Sequence, residues 1–164
     1  MLLVGDPIQE LQDDHRSARD GMFELLQALE EGDLGKAREI MTFVNLVAGP
    51  HWRWEEETLY PLLERFSEEL VHNLLIEHDK VIEAVEGLAE IVGKRTLAAE
   101  DLERARKLTL PILYHVATCD GLILWMEMMD EQETQGLRQA IFVARREGVP
   151  LLEWAQTVRT RSAS

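Results

Sequence analysis

Apolar residues recur along most of this chain at alternating steps of three and four, the period of a single buried helix face. Ile8, Leu11, His15, Ala18, Met22, Leu25 and Leu29 form the first such stripe. Asp6-Pro7 ahead of it reads as an N-cap followed by proline at the first helical position, and Glu31-Gly32-Asp33 as a stop and a fresh cap. A second helix is predicted from about Leu34 to Phe66, its face carrying Ile40, Val44, Val47, His51, Glu55, Leu59 and Leu62. Within it Gly49-Pro50 predicts either a kink or a break just before His51, because proline removes a backbone bond and crowds the preceding turn. Pro61 marks a second irregularity. Ser67 caps a third helix whose stripe is Val71, Leu74 or Leu75, His78, Ile82, Val85, Leu88 and Val92, with Gly93 at its end. The fourth runs from about Ala99 to Met129 with Leu108, Ile112, His115, Cys119, Leu122 and Met126 inward. A shorter helix over Gln132–Glu147 and a last piece opening at Pro150-Leu-Leu-Glu-Trp154 follow, fraying from Arg159.

Four long amphipathic helices and a short remainder predict an all-α, up-down-up-down four-helix bundle with a short C-terminal helical extension. The chain of 164 residues reads as a single domain over 1–164, the bundle in about 7–130 and the extension in 131–164. Composition narrows the function. With 17 basic against 31 acidic residues the formal charge is −14, a surface that repels phosphate backbones and argues against nucleic acid as a partner. One cysteine allows no internal disulfide and fits a reducing compartment. The longest apolar run, Gly121–Met126, is broken by Glu127, so neither a membrane span nor a signal peptide is expected, and a cytoplasmic location follows.

Each of the four stripes is interrupted near its middle by one histidine: His15, His51, His78 and His115. In an antiparallel bundle those positions meet at similar height. Glu55 follows His51 by four residues, hence on the same face, and a bare carboxylate in an apolar stripe is costly unless a positive charge meets it there. Cys119 and Asp120 lie about one turn beyond His115. Imidazole with carboxylate is a donor set for iron, manganese or zinc, with mixed nitrogen and oxygen favouring iron or manganese. A satisfied core histidine is the ordinary explanation of any one of these positions; four at matched height with a buried glutamate point to a metal. His72 falls off the seam and reads as a surface residue, and in the Glu55-Glu56-Glu57 run only Glu55 is expected to face inward.

His15, His51-x-x-x-Glu55 followed by Leu59-Tyr60-Pro61, Glu77-His78 and His115-x-x-x-x-Asp120, in that order, resemble the hemerythrin-like HHE cation-binding domain family over roughly residues 7 to 130. The resemblance implies two non-haem iron ions inside the bundle, joined by an oxo or hydroxo bridge, with manganese or zinc as other occupants. It assigns His15 and His51 to one iron, His78 and His115 to the other, and Glu55 and Asp120 as bridges. Two departures stand out. Leu74 occupies a position where oxygen carriers place another histidine, leaving Glu77, Tyr114 or water to compensate. Cys119 stands where many relatives have glutamate, and Asp120, at five residues from His115, needs a locally widened helix to turn inward; Cys119 is its rival as ligand. Tyr60 and Tyr114 are candidates for hydrogen bonds to the ligating side chains.

Three functions follow as expectations. The first is binding or sensing of a small diatomic ligand, O2 or NO, or the handling of iron. The second is a di-iron redox enzyme acting on NO, on peroxide or in iron–sulfur cluster repair. The third is a metal-free helical module, with Leu137–Val143 and Leu151–Trp154 as a partner or homodimer surface.

Overall fold

The computed structural model describes residues 4–162 and forms eight α-helices among them, with no strand. These are α1 (Pro7–Glu30), α2 (Leu34–Trp54), α3 (Tyr60–Leu63), α4 (Glu68–Val92), α5 (Ala99–Asp120), α6 (Ile123–Met126), α7 (Glu131–Glu147) and α8 (Leu151–Ser162). The caps read from sequence are where the helices start. The Asp6 carboxylate accepts from the Ile8 N–H, Asp33 from Lys36 and the Ser67 hydroxyl from Leu70, each satisfying a donor that the first turn leaves without a partner. Helix α8 continues past Arg159, where fraying is expected, and Ala163 and Ser164 lie outside the described residues.

Of the two outcomes expected at Gly49-Pro50, the break does not occur, since Pro50 sits inside α2 without ending it. The irregularity falls one turn later, where Glu55–Leu59 form a π turn closed by the Tyr60 N–H bonding to the Glu55 carbonyl. Helix α5 differs as well, stopping at Asp120 instead of reaching Met129. Its end tightens through bonds from Gly121 to the Thr118 carbonyl and from Leu122 to that of Cys119 before the short α6 begins.

Helices α1, α2, α4 and α5 close a ring: α1 packs on α2 and α5, and α4 on α5 and α2. Contacts that climb one helix descend its neighbour. His15 meets His51 and Gly21 meets Val44; His15 meets Asp120 and Glu30 meets Arg106; Glu77 meets His115 and Glu90 meets Arg104; Arg38 meets Val92 and Glu56 meets His78. The core inside this ring is in two parts. One gathers Met22, Leu25, Val44, Val81, Val85 and Ile112; the other gathers Leu11, Trp54, Leu63, Leu74, Leu122 and Met126. The histidines lie between them in sequence on every helix, so the polar layer is sealed by apolar packing on either side.

The C-terminal helices fold back on this ring, α7 against α2 and α1, and α8 against α2 and α4. Leu137, Ile141, Leu151 and Trp154, candidates for a partner surface from sequence, are instead buried within the chain. By length and hydropathy alone Ala99–Met126 could cross a bilayer. In this fold that stretch is interrupted at Gly121, packs against α1 and α4, and carries His115 into the interior.

Candidate metal centre

Glu55 is fully buried, and three imidazoles converge on it. Its Oε1 lies 3.1 Å from His51 Nε2 and 4.0 Å from His15 Nε2, and its Oε2 lies 3.2 Å from His78 Nε2. One carboxylate oxygen thus faces the α1–α2 pair of histidines and the other faces α4. The rings themselves pair, with centroids 4.9 Å apart for His15 and His51 and 4.6 Å for His78 and His115. Trp52 stacks on His78 at 3.9 Å between ring centroids, and Trp54 meets His51 edge-on, so both tryptophans shield the site from solvent.

The outer nitrogens show a pattern not visible from periodicity. Every Nδ1 is hydrogen-bonded to a carboxylate from a neighbouring helix: His15 to Asp120 at 2.7 Å, His51 to Asp14 at 2.8 Å, His78 to Glu56 at 2.7 Å and His115 to Glu77 at 2.9 Å. The relay is cyclic, since α1 supplies the acid for α2, the π turn after α2 for α4, α4 for α5 and α5 for α1. A carboxylate can only accept, so each Nδ1 donates and each Nε2 is turned to the interior. This is the arrangement by which proteins orient metal-binding histidines. The Nε2 atoms of His15 and His115 are buried and have no hydrogen-bond partner, and that of His51 has only the Glu55 oxygen 3.1 Å away. Buried polar atoms are rarely left so, and two of them beside a buried carboxylate are what a cation would satisfy.

Two further side chains reach Glu55. The Cys119 Sγ donates to Oε1 at 3.1 Å, and the Tyr60 hydroxyl lies 3.4 Å from Oε2 and 2.9 Å from His78 Nε2. Tyr60 arrives there because of the π turn: in a wider turn, residues five apart share a side, as Glu55 and Tyr60 do. Two ligand triads result, His15 with His51 and Glu55, and Glu55 with His115 and Cys119, each with its donor atoms within 4.8 Å of one another.

Electrostatics follow from burial and pairing. Burial lowers His15 and His115, the positive charge of a neighbouring histidine adding to the effect in each. Burial also opposes charge on His51, yet Glu55 and Asp14 outweigh it and push the ring up to about 10. Burial opposes charge on Glu55 too, but His51 and His78 hold it well below the usual carboxylate range. A proton on His51 thus meets the negative charge of Glu55 among these side chains.

Several sequence expectations need correcting. Asp120 does not turn inward: its carboxylate is half-exposed and engaged on the outer edge of His15, because α5 ends there without the widened turn it would need. Glu56, expected on the solvated face, holds His78. Tyr114 is exposed and Glu77 is committed to His115 Nδ1, so neither stands in for Leu74, which is buried. Asp14 lies outside the inward stripe of α1. A local signal exists for these acids, since each adjoins an inward residue: Asp14-His15, Glu55-Glu56, Glu77-His78 and Cys119-Asp120. One step along a helix is about 100° around it, which aims the acid at the neighbouring helix.

A helical bundle with histidines and a carboxylate projected into a sealed central layer defines a metal-binding bundle protein. The chain belongs to the hemerythrin HHE cation binding domain family, whose model matches residues 6–140. Comparison with curated proteins and with solved structures gives no match.

Proposed function

We propose that this chain holds two iron ions in its central layer and uses them to bind a small diatomic molecule, O2 or NO. The observation that carries the reading is the convergence of buried histidine Nε2 atoms on a fully buried glutamate, those of His15 and His115 without a hydrogen-bond partner. His15 and His51 would hold one ion and His78 and His115 the other, with Glu55 shared, since one of its oxygens lies near His15 and His51 and the other near His78. When bound, the iron pair supplies open coordination and accessible electrons for such a ligand. The chain's own part is to orient the imidazoles, through Asp14, Glu56, Glu77 and Asp120, and to exclude bulk water. A narrow cavity of about 40 Å³ adjoins His15, His51 and His115 and is otherwise lined mainly by apolar groups such as Val44, Val81, Val85 and Ile112. That space suits a molecule of two heavy atoms.

Absorption spectra of the iron-loaded chain test this directly. Charge-transfer bands that shift on addition of azide, NO or O2 are expected, and a loaded protein blind to all three overturns the proposal. A redox enzyme acting on NO or peroxide is the second reading, favoured by two oxidisable side chains, Tyr60 and Cys119, beside Glu55. Sustained turnover of either molecule by the iron-loaded chain would decide for it.

The C-terminal extension contributes one layer further out. Arg145 of α7 donates to Asp14 at 3.1 Å, and Arg159 of α8 donates to both oxygens of Glu56 at 3.1 and 3.2 Å. Each arginine thus fixes an acid that fixes a histidine. Loss of an acid that orients a ligand costs about 10–100-fold in metal affinity, so Asp14→Asn and Glu56→Gln are expected in that range. Arg145→Met and Arg159→Met should fall below about tenfold, because the acid remains and both arginines are partly solvated. Metal titration against a competing chelator ranks the four.

A further inference from the structure

With Asp120 turned outward, the fourth-helix ligand position falls to the residue before it. We propose that Cys119 binds, as a thiolate, the metal ion held by His115 and Glu55, which makes this half of the centre a mixed nitrogen, oxygen and sulfur site. The inference rests on the two-metal reading above and adds a ligand to it.

Four observations on the chain's own residues support it. Cys119 lies four residues after His115, the same one-turn relation that joins His51 to Glu55, so α5 repeats on its inner face the ligand pair of α2 with sulfur in place of carboxylate. Its side chain is fully buried and its Sγ lies 3.1 Å from Glu55 Oε1. A donor nitrogen of His115, a Glu55 oxygen and the sulfur fall within 4.8 Å of one another. Because Glu77 engages Nδ1, the nitrogen left for an ion is Nε2, which is buried and has no partner in a side chain only 3% exposed.

A buried cysteine acting as a small hydrophobe with a weak S–H bond to Glu55 is the simpler description. It explains the sulfur's position but leaves His115 Nε2 orphaned. An ion between them satisfies both. Asp120 offers no competing donor, since its carboxylate is engaged with His15 Nδ1 at 2.7 Å. Binding is a proton exchange: the metal–sulfur bond forms as the thiol proton leaves to solvent, and no electron changes hands. The two metal positions then become inequivalent, because only one has a soft donor, and softer ions such as zinc or ferrous iron should prefer it over manganese.

The test is X-ray absorption on the full chain loaded with Zn(II), alongside metal content. A sulfur scatterer at about 2.3 Å is expected in the wild type. It should vanish in Cys119→Ser and persist in Asp120→Asn. Cys119→Ser should also bind Zn(II) about tenfold or more weakly, at least the loss seen when an outer partner is removed. The wild-type spectrum alone decides even if the serine variant fails to fold. Bound zinc with only nitrogen and oxygen neighbours overturns the thiolate and leaves the two-metal reading standing, whereas a chain that takes up no metal overturns both.

Discussion

Glu55→Gln is expected to fold like the wild type and to retain far less than one metal ion per chain. Glutamine nearly matches glutamate in shape, so the sealed layer between the two apolar parts of the core is preserved. What is lost is the one carboxylate that meets imidazoles from both sides of the bundle, within 3.1 Å of His51 and 3.2 Å of His78. A neutral amide presents one weak oxygen donor where a bound cation needs negative charge. Stability should report the same loss. A ligand at a hundredfold excess over its Kd stabilises the native state by about 2.7 kcal/mol, and a chain of this size gains roughly 2–4 °C in Tm per kcal/mol. Loading with Fe(II) or Zn(II) should therefore raise the wild-type Tm by roughly 5–10 °C and leave Glu55→Gln almost unmoved. Elemental analysis with thermal melts of stripped and loaded protein checks both halves. Equal metal uptake by the variant would remove Glu55 from the centre.

Gly49→Ala is the second large effect, and its sign is opposite to what helix propensity alone gives. Alanine in place of an interior helical glycine ordinarily stabilises by about 1 kcal/mol. Here a Cβ would lie 2.0 Å from the Val149 carbonyl oxygen and 2.6 Å from both Pro150 C and Leu151 N. All three are backbone atoms of the α7–α8 connection and cannot rotate away as a side chain can. Overpacking of this kind costs roughly 1–3 kcal/mol and sometimes more, which exceeds the propensity gain. The variant should melt below the wild type, with the Asn45 side chain's bond to the Leu152 N–H and the seating of α8 disturbed. Gly136 supplies the contrast, because it lies within α7 with nothing near its missing Cβ. Gly136→Ala should raise stability by about 1 kcal/mol in urea denaturation. A Gly49→Ala protein as stable as Gly136→Ala would show that α8 does not sit against α2 in this way.

What the sequence alone determined is the one-dimensional part of the problem. Stripes of period 3.6 located the helices, Asp6, Asp33 and Ser67 marked their starts, and one histidine in each stripe, with Glu55 one turn from His51, marked the inner layer. These were readable because they depend on the direction of a side chain around its own helix axis, which spacing fixes. The family match covers residues 6–140, the stretch that holds all of these residues.

Tertiary structure decided everything that depends on the partner across the gap. Spacing could not choose between Cys119 and Asp120, because the answer turns on where α5 ends and whether its last turn widens. The widened turn is in fact on the other helix, after Trp54, where it brings Tyr60 beside Glu55. Nor could spacing reveal the ring of acids behind the histidines, since each of its four hydrogen bonds joins two helices. Asp14 and Glu56 are, by local pattern, ordinary polar positions on acidic helices. Only the packing of antiparallel neighbours, with α7 and α8 bringing Arg145 and Arg159 behind them, makes them part of the centre.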